Sequence, residues 1–199
     1  MTQPHTINAV AQRAFSKVEF PVTTPARRVS VGGLQPSVRP MTEGDREMLK
    51  SFFNGLTDHS RFSRFMTPFT EVPSALLKIL SNVSSPDHIA FMATVDLGST
   101  TQMIGEVRFV ISKQNASVAE FAIAVADDWQ GKGLAGKLMR TMEEAARDHG
   151  VSTLIGTTLR SNNAMIELGR HVGYHLKPDP GEARAVRLVK RISAPRSLH

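Results

Sequence analysis

The sequence contains no cysteine and is poor in two of the aromatic residues, with one tryptophan and one tyrosine among 199 residues. The absence of cysteine excludes a disulfide framework, a thiolate nucleophile and cysteine-ligated metal. No apolar run approaches the roughly 20 residues that a membrane-spanning helix needs. The first residues also lack the continuous apolar segment of a secretory signal. We therefore expect a cytoplasmic protein that has no membrane attachment and no bound metal.

Charge is distributed unevenly along the chain, which has a formal net charge of +6. Residues 1–40 carry five basic and one acidic residue, residues 183–199 carry five basic residues, and residues 41–182 carry 14 basic and 17 acidic residues. Nucleic-acid binding needs a basic stripe with aromatic side chains for stacking, which this pattern does not favour. We expect a basic extension at 1–35 with the composition of a disordered segment, one domain at 36–193 and a tail at 194–199.

Hydrophobic periodicity and turn residues predict the order of the secondary structure elements. The predicted strands comprise residues 37–40, 88–96, 103–112, 117–125, 152–158 and 183–192. The predicted helices comprise residues 45–55, residues 72–81, a helix from Leu134 that ends before Gly150, and a helix headed by Asn162. The three strands after Pro86 favour an antiparallel meander, because they are separated by short turns.

Residues 119–139 combine an apolar strand, a glycine-rich loop and an amphipathic helix. The three glycines remove side chains, so that backbone N–H groups can approach a phosphate. The helix that begins near Leu134 directs the positive end of its dipole at the same point. The residues expected to form this anion site include three glycines and two flanking lysines: Gly131, Gly133, Gly136, Lys132 and Lys137.

Two other phosphate-binding motifs do not fit this loop. A Walker loop ends in Gly-Lys-Ser/Thr, whereas Gly136 and Lys137 are followed here by Leu138, which offers no hydroxyl group to Mg²⁺. Residues 131–136 do satisfy the G-x-G-x-x-G spacing of a dinucleotide-binding fold. That fold also requires an acidic residue at the end of the next strand, and the predicted strand at 152–158 contains none.

The remaining pattern, Gln130-x-x-Gly133-x-Ala135, resembles the Arg/Gln-x-x-Gly-x-Gly/Ala pyrophosphate loop of the GNAT N-acetyltransferases. The resemblance covers about residues 38–192, because four parts recur in the family's order: a strand ending in small residues, the loop, its long helix and the Asn162 helix. It implies an α+β fold in which about four helices flank a mixed, mostly antiparallel sheet of six to seven strands. It also implies acetyl-CoA as cosubstrate.

The sequence departs from the family pattern in its last predicted helix. Asn162 to Gly173-Tyr174 is similar to the family's N-x-x-A…G-F/Y ending. The family's usual tyrosine, to which protonation of the leaving thiolate is often assigned, falls at Gly169. His171 is the candidate that could replace it as a general acid.

Glu120 is the predicted catalytic base. Alternation along the strand puts Glu120, Ala122 and Ala124 on one face, where the two small side chains leave room for a ligand. An amine with a pKa near 10.4 is almost entirely ammonium at neutral pH, so transfer to it requires a base. The family places a glutamate here in many members. The alternative is an exposed cross-strand ion pair between Glu120 and Arg108.

Three polar residues near the loop have structural alternatives to a functional role. Asn162 suits the N-cap of its helix as well as a cofactor contact, and Ser161 could serve as the cap instead. Asp127 and Asp128 are expected to form a solvated turn, although their charge could also guide a cationic substrate.

A finer resemblance involves residues 56–65, LTDHSRFSRF. They are similar to the L-[ST]-x-x-S-R-[YF]-x-R-F segment in the acetyltransferase domains of bacterial protein-lysine acetyltransferases. Those domains also carry E-F-A before the loop, D-D-W-Q-G-x-G-L within it and N-x-A-M after it, as this chain does. Arg61 and Arg64 would contact CoA phosphates or a protein substrate, or would pack together with Phe62 and Phe65.

These resemblances imply an N-acetyltransferase that transfers an acetyl group from acetyl-CoA directly to a primary amine, with no covalent intermediate. The leading acceptor is a protein lysine, such as that of an acyl-CoA synthetase. A small amine, or a CoA-sensing module without turnover, are the alternatives. A monomer or homodimer is expected. The predicted cofactor-binding residues are Ile123, Ala124, Val125, Gln130, Gly131, Lys132, Gly133, Leu134, Ala135, Gly136 and Asn162.

Overall fold

The computed structural model describes residues 33–192, which form one seven-stranded sheet in the order β1-β2-β3-β4-β5-β7-β6. The strands are β1 (Ser37–Pro40), β2 (His88–Asp96), β3 (Thr101–Ile111), β4 (Val118–Val125), β5 (Thr153–Leu159), β6 (His175–Pro178) and β7 (Ala185–Arg191). The helices are α1 (Arg46–Asn54), α2 (Asp58–Phe65), α3 (Ser74–Ser81), α4 (Leu134–Asp148) and α5 (Asn163–His171), with 3-10 turns at Glu43–Asp45 and Asp127–Trp129. Neighbouring strands are antiparallel, except that β4 and β5 are parallel.

Two hydrophobic clusters cover the two faces of the sheet. On one face, α4 buries the predicted apolar stripe, and Leu134, Leu138 and Met142 have no exposed surface. On the other face, α1 and α3 bury Leu49 and Leu80 against the side chains of β2. Alternation along β2 explains the division, because successive side chains of a strand point to opposite faces.

The predicted α+β sheet is confirmed, with two elements beyond the predicted ones. The sequence predicts only a helical turn within residues 56–65, and the structure has the complete helix α2 there. Its most buried side chains are those of Arg61 and Arg64, so no apolar stripe in the sequence predicts the helix. The edge strand β6 has four residues, too few for a clear alternation.

The predicted ends of the domain lie at the limits of the described residues. Leu34 packs against the α4 cluster, so the described domain includes at least two residues before the predicted boundary at 36. Most of the predicted extension and the whole predicted tail at 194–199 lie outside the described residues. Among the helices of residues 33–192, none has the length and hydropathy needed to cross a bilayer.

Strands β4 and β5 separate halfway along their length. Their parallel pairing ends at Phe121 and Gly156. Here the ring of Phe121 lies against Gly156 so closely that a Cβ atom on Gly156 would overlap it. Beyond this point β4 pairs only with β3 and β5 only with β7, which opens the sheet between them.

Candidate active site

A cleft of about 550 Å³ lies where β4 and β5 separate. Its walls come from the second half of β4, from β5, from α2, from the loop before α4 and from α5. Of the predicted site residues, the cleft is lined by Ile123, Ala124, Val125, Gln130, Gly131, Gly133, Ala135, Gly136 and Asn162.

The ladder between β3 and β4 determines which backbone groups of β4 face the cleft. Ala126 donates its N–H to Ile104 at 2.9 Å, and the regular register from there onward pairs Ala124 with Glu106. In an antiparallel ladder, hydrogen-bonded pairs of this kind alternate with residues whose N–H and C=O groups point away from the partner strand. The backbone groups of Ile123 and Val125 are therefore directed at the cleft, whereas Ala124 contributes only its methyl group.

The loop before α4 offers a row of backbone donors. Within residues 33–192, the N–H groups of residues 131–136 have no hydrogen-bond acceptor. Gly131 and Gly133 have φ values of +69° and +85°, a conformation that favours glycine and turns successive N–H groups the same way. The row continues into the first turn of α4, where the helix dipole is positive. This arrangement suits a pyrophosphate.

The structure differs from the prediction in how some loop residues participate. Gln130 donates its N–H to Asp127 at 3.2 Å, and its Nε2 donates to the carbonyl of Val125 at 3.1 Å. Lys137 lies away from the loop, since its Nζ donates to the carbonyl of Pro36 at 3.0 Å. Burial lowers the pKa of Lys137. The side chain of Leu134 is fully buried, so only its N–H is available.

Glu120 lies immediately before the point where the strands separate. Its side chain is exposed, on the face of β4 that also carries Ala122 and Ala124. The alternative, an ion pair with Arg108, is wrong, because Arg108 is buried and donates to Glu106. Within the described part of the chain, no side chain forms a hydrogen bond or a salt bridge with the Glu120 carboxylate. Glu120 does not itself line the cleft, but it directly precedes Phe121 and Ala122, which do, so it lies at the edge of the cleft.

The two predicted features of α5 are clarified by its packing. The side chain of Asn162 caps the helix by accepting the N–H of Met165 at 3.1 Å, while the residue also lines the cleft. A Cβ atom on Gly169 would lie 2.6 Å from Leu188 Cδ2, so a tyrosine at this position would require the buried side chain of Leu188 to move. His171 lines the cleft and remains the candidate acid.

Arg61 has a structural role that the sequence did not predict. Its guanidinium group donates to the carbonyls of Phe53, Asn54 and Phe69, at 3.2, 3.1 and 3.0 Å. Two of these carbonyls belong to the last turn of α1, where they lack partners within the helix. With 5% of its surface exposed, Arg61 joins α1 to α2 and is not placed to contact CoA phosphates.

Asp127 lies in the predicted turn, at Asp127–Trp129, and its carboxylate also bonds to α2. It accepts the N–H of Thr57 at 3.0 Å, the hydroxyl of Thr57 at 2.9 Å and the hydroxyl of Ser60 at 2.6 Å. Thr57 is the N-cap of α2 and accepts the N–H of Ser60 at 3.2 Å, so Asp127 ties the capped end of α2 to the segment before the glycine loop. Burial acts to raise the pKa of Asp127, but the hydrogen bonds from Ser60 and Thr57 outweigh it and hold the pKa below its usual value.

Replacing Asp127 with asparagine is expected to lower the free energy of unfolding at pH 7 by about 1 kcal/mol, because a neutral amide replaces the charged acceptor of the bonds from Thr57 and Ser60. A lowered folded-state pKa contributes stability above the unfolded value of 3.8. That stability disappears as the pH falls through the folded-state pKa. Thermal melts of wild type and Asp127→Asn should therefore differ at pH 7 and converge as the pH falls through the folded-state pKa of Asp127. The exposed neighbour provides the control: Asp128→Asn should melt like wild type throughout, and an equal loss in both variants would contradict the role of these hydrogen bonds.

Comparisons with known proteins agree with this geometry. Residues 53–174 match the family described as the acetyltransferase (GNAT) family. The acetyltransferase PA5475 of Pseudomonas aeruginosa is 31% identical over 149 residues, which are 75% of this chain and 80% of that protein. The acetyltransferase Pat of Mycolicibacterium smegmatis is 32% identical over 139 residues, which are 68% of this chain and 40% of that protein. The GNAT domain of S. lividans PAT superimposes with a TM-score of 0.72 at 28% identity, covering 80% of this chain and 92% of that one.

The chain belongs to the GNAT acetyltransferase family. It is an acyltransferase, and acetyl-CoA is its cosubstrate.

Proposed function

We propose that the protein transfers the acetyl group of acetyl-CoA to a protein lysine by direct attack of the amine on the thioester. The observation that carries the proposal is the row of free N–H groups at residues 131–136, next to the separated strands. Both features lie at one cleft, with the unpaired Glu120 at its edge. The cysteine-free composition suits a reducing compartment, and we place the reaction in the cytoplasm.

Different residues of the cleft would bind acetyl-CoA and catalyse the transfer. The N–H groups of residues 131–136 would hold the pyrophosphate, and the backbone of Ile123 and Val125 would pair with the pantetheine arm. An N–H group in this part of β4 would also stabilise the oxygen that becomes negative during transfer. Glu120 would remove the amine proton through a water molecule.

The protein acceptor is supported by the segment that forms α2. Residues 56–65 resemble the corresponding segment of bacterial protein-lysine acetyltransferases, and α2 forms one wall of the cleft. Phe62, in α2, and Met66, immediately after it, are 37% and 40% exposed. A protein acceptor would cover these apolar side chains, whereas a small amine would leave them in water.

Acetyl-CoA turnover with a panel of acceptors tests the proposal. We expect CoA to be released when a protein such as an acyl-CoA synthetase is the acceptor. A lysine of that protein should gain the mass of one acetyl group. Acetylation of only polyamines, aminoglycosides or free amino acids would favour the small-amine alternative. Calorimetric binding of acetyl-CoA with no turnover of any acceptor would favour a CoA-sensing module instead.

A further inference from the structure

A buried cluster of charged side chains lies beneath the cleft. Glu106 has no exposed surface, and the side chains of Arg64 and Arg108 are 4% and 1% exposed. Arg64 donates through Nε and Nη2 to Oε1 of Glu106, at 3.1 and 2.8 Å. Arg108 donates through Nε to Oε2 of Glu106 at 2.7 Å, and its Nη2 is bonded to the same oxygen. Two guanidinium groups therefore share one carboxylate.

The fourth member of this cluster, His88, does not change its charge. Nδ1 of His88 is 2.8 Å from the carbonyl of Asn82, which can only accept, so Nδ1 carries the proton. Nε2 then accepts from Nη1 of Arg108 at 3.1 Å, which requires the neutral ring. Burial, followed by the charge of Arg108, lowers the pKa of His88 to about 4. Since arginine stays protonated, the buried cluster carries one unbalanced positive charge.

An unbalanced buried charge is costly, and Arg64 is the member that can receive a counter-ion. Nη1 of Arg108 is already bonded to His88 and to the carbonyl of Leu80 at 2.7 Å. Nη1 of Arg64 has no acceptor among residues 33–192, and Arg64 lines the cleft. The guanidinium lies 5.7 and 4.8 Å from the ring centroids of Phe53 and Phe65, which hold it in place.

The position of Arg64 separates it from the pyrophosphate loop. Its partner Glu106 lies opposite Ala124 in the register of β3 and β4. Opposite residues of a ladder share a face, so Arg64 lies on the face of β4 that carries Ala124 and Glu120. The loop at 131–136 leads into α4, which packs on the other face. An anion bound at Arg64 would therefore be separate from CoA phosphates bound at the loop.

We propose that Arg64 selects acceptors that carry a carboxylate near the reactive amine, by receiving that carboxylate on its free Nη1. The inference rests on the proposed acetyl transfer and specifies the acceptor of the same site. Two sources offer this chemistry: the α-carboxylate of a free amino acid, and an acidic side chain next to a lysine of a protein.

Acceptors matched except for this carboxylate test the inference, with kcat/KM calculated for the neutral amine, because removing a nearby negative charge also lowers the pKa of the amine. One pair consists of a free amino acid and its α-carboxamide, and the other of two lysine peptides with aspartate or asparagine beside the lysine. Wild type should favour the carboxylate member of at least one pair by about 10- to 100-fold in kcat/KM, the range expected for a hydrogen bond between charged groups. The pair that shows the preference identifies the source. Equal kcat/KM values within both pairs would overturn the inference and leave acetyl transfer itself established.

The variant Arg64→Gln provides the second arm. Glu106 keeps its bonds to Arg108, so the variant is expected to fold. If Arg64→Gln does not fold, Arg64→Lys provides a variant that preserves the charge. The ratio of kcat/KM between the carboxylate and amide members should fall to nearly 1 in Arg64→Gln and partly return in Arg64→Lys. The CoA affinity of both variants should equal that of wild type. A preference that persists in Arg64→Gln would overturn the inference, as would a large loss of CoA affinity.

Binding measured without turnover separates this inference from the proposed function. The carboxylate and amide members are titrated into CoA-saturated protein by calorimetry. If the carboxylate member binds more tightly to wild type than to Arg64→Gln, the inference is supported even when no acetyl group is transferred. Equal binding of both members, or no binding, would overturn it.

Discussion

Replacing Glu120 with glutamine is expected to slow acetyl transfer by a factor of about 10²–10⁴, the usual effect of removing a positioned base. Acetyl-CoA affinity should stay unchanged, because the carboxylate lies at the edge of the cleft and away from the loop at 131–136. The physical reason is the state of the acceptor: an amine with a pKa near 10.4 is almost entirely protonated at neutral pH. Initial rates at saturating amine, together with calorimetric binding of acetyl-CoA, measure the two quantities.

The pH dependence gives this prediction a second readout. Raising the pH increases the fraction of neutral amine, so the Glu120→Gln enzyme should recover part of its rate. The matched control is Glu144→Gln, an exposed glutamate on α4 with no neighbour in sequence that lines the cleft. If Glu120→Gln transfers acetyl groups at the wild-type rate near neutral pH, Glu120 is not the base. His171, which lines the cleft, would then be the first residue to test.

The order of the elements and the position of the glycine-rich loop were predictable because their signals are local. The stripe of Leu134, Leu138 and Met142 repeats at helical spacing, and all three residues are buried as the period requires. Gly150, predicted to follow the helix, has a φ of +78° in the structure. Each of these features depends on residues within a few positions of one another.

The polar interior of the site was not predictable because its partners are distant in sequence. Arg64 and Glu106 are 42 positions apart, and Ser60 and Asp127 are 67 apart. A charged residue in an amphipathic pattern is normally assigned to the solvated face, and nothing local distinguishes a buried one. The alternative pairing of Glu120 with Arg108 failed for this reason. The expected strand register placed Arg108 near Glu120. In the structure Arg108 bonds instead to Glu106, which lies two residues away on the same face of β3.

The absence of a tyrosine at 169 illustrates a third kind of information. The sequence shows a glycine there, but only the structure shows that a side chain at this position would displace Leu188 of β7. With glycine at 169, a general acid must come from another position of the cleft. His171 lies two residues further along α5 and lines the cleft.

Replacing Gly136 with glutamate is expected to weaken acetyl-CoA binding by at least about 100-fold. Gly136 lines the cleft in the first turn of α4, and its N–H belongs to the free row at 131–136. A carboxylate there would occupy the phosphate space, and like charges about 4 Å apart near a surface repel by about 4 kcal/mol. Gly133 is a poorer position for this test. Its φ of +85° would strain any side chain, so that loss of binding could reflect loss of the fold.

The control variant Gly136→Ala separates charge from backbone effects. A Cβ atom on Gly136 would meet only Nη1 of Arg140, at 3.6 Å, so both variants should fold. Both should melt at or above the wild-type temperature without ligand, since alanine favours a helix and a negative charge in its first turn suits the dipole. Acetyl-CoA should raise the melting temperature of wild type and Gly136→Ala but leave that of Gly136→Glu unchanged. If a folded Gly136→Glu protein binds acetyl-CoA with wild-type affinity by calorimetry, the pyrophosphate does not lie on these N–H groups, and the anion site must be sought elsewhere along the cleft.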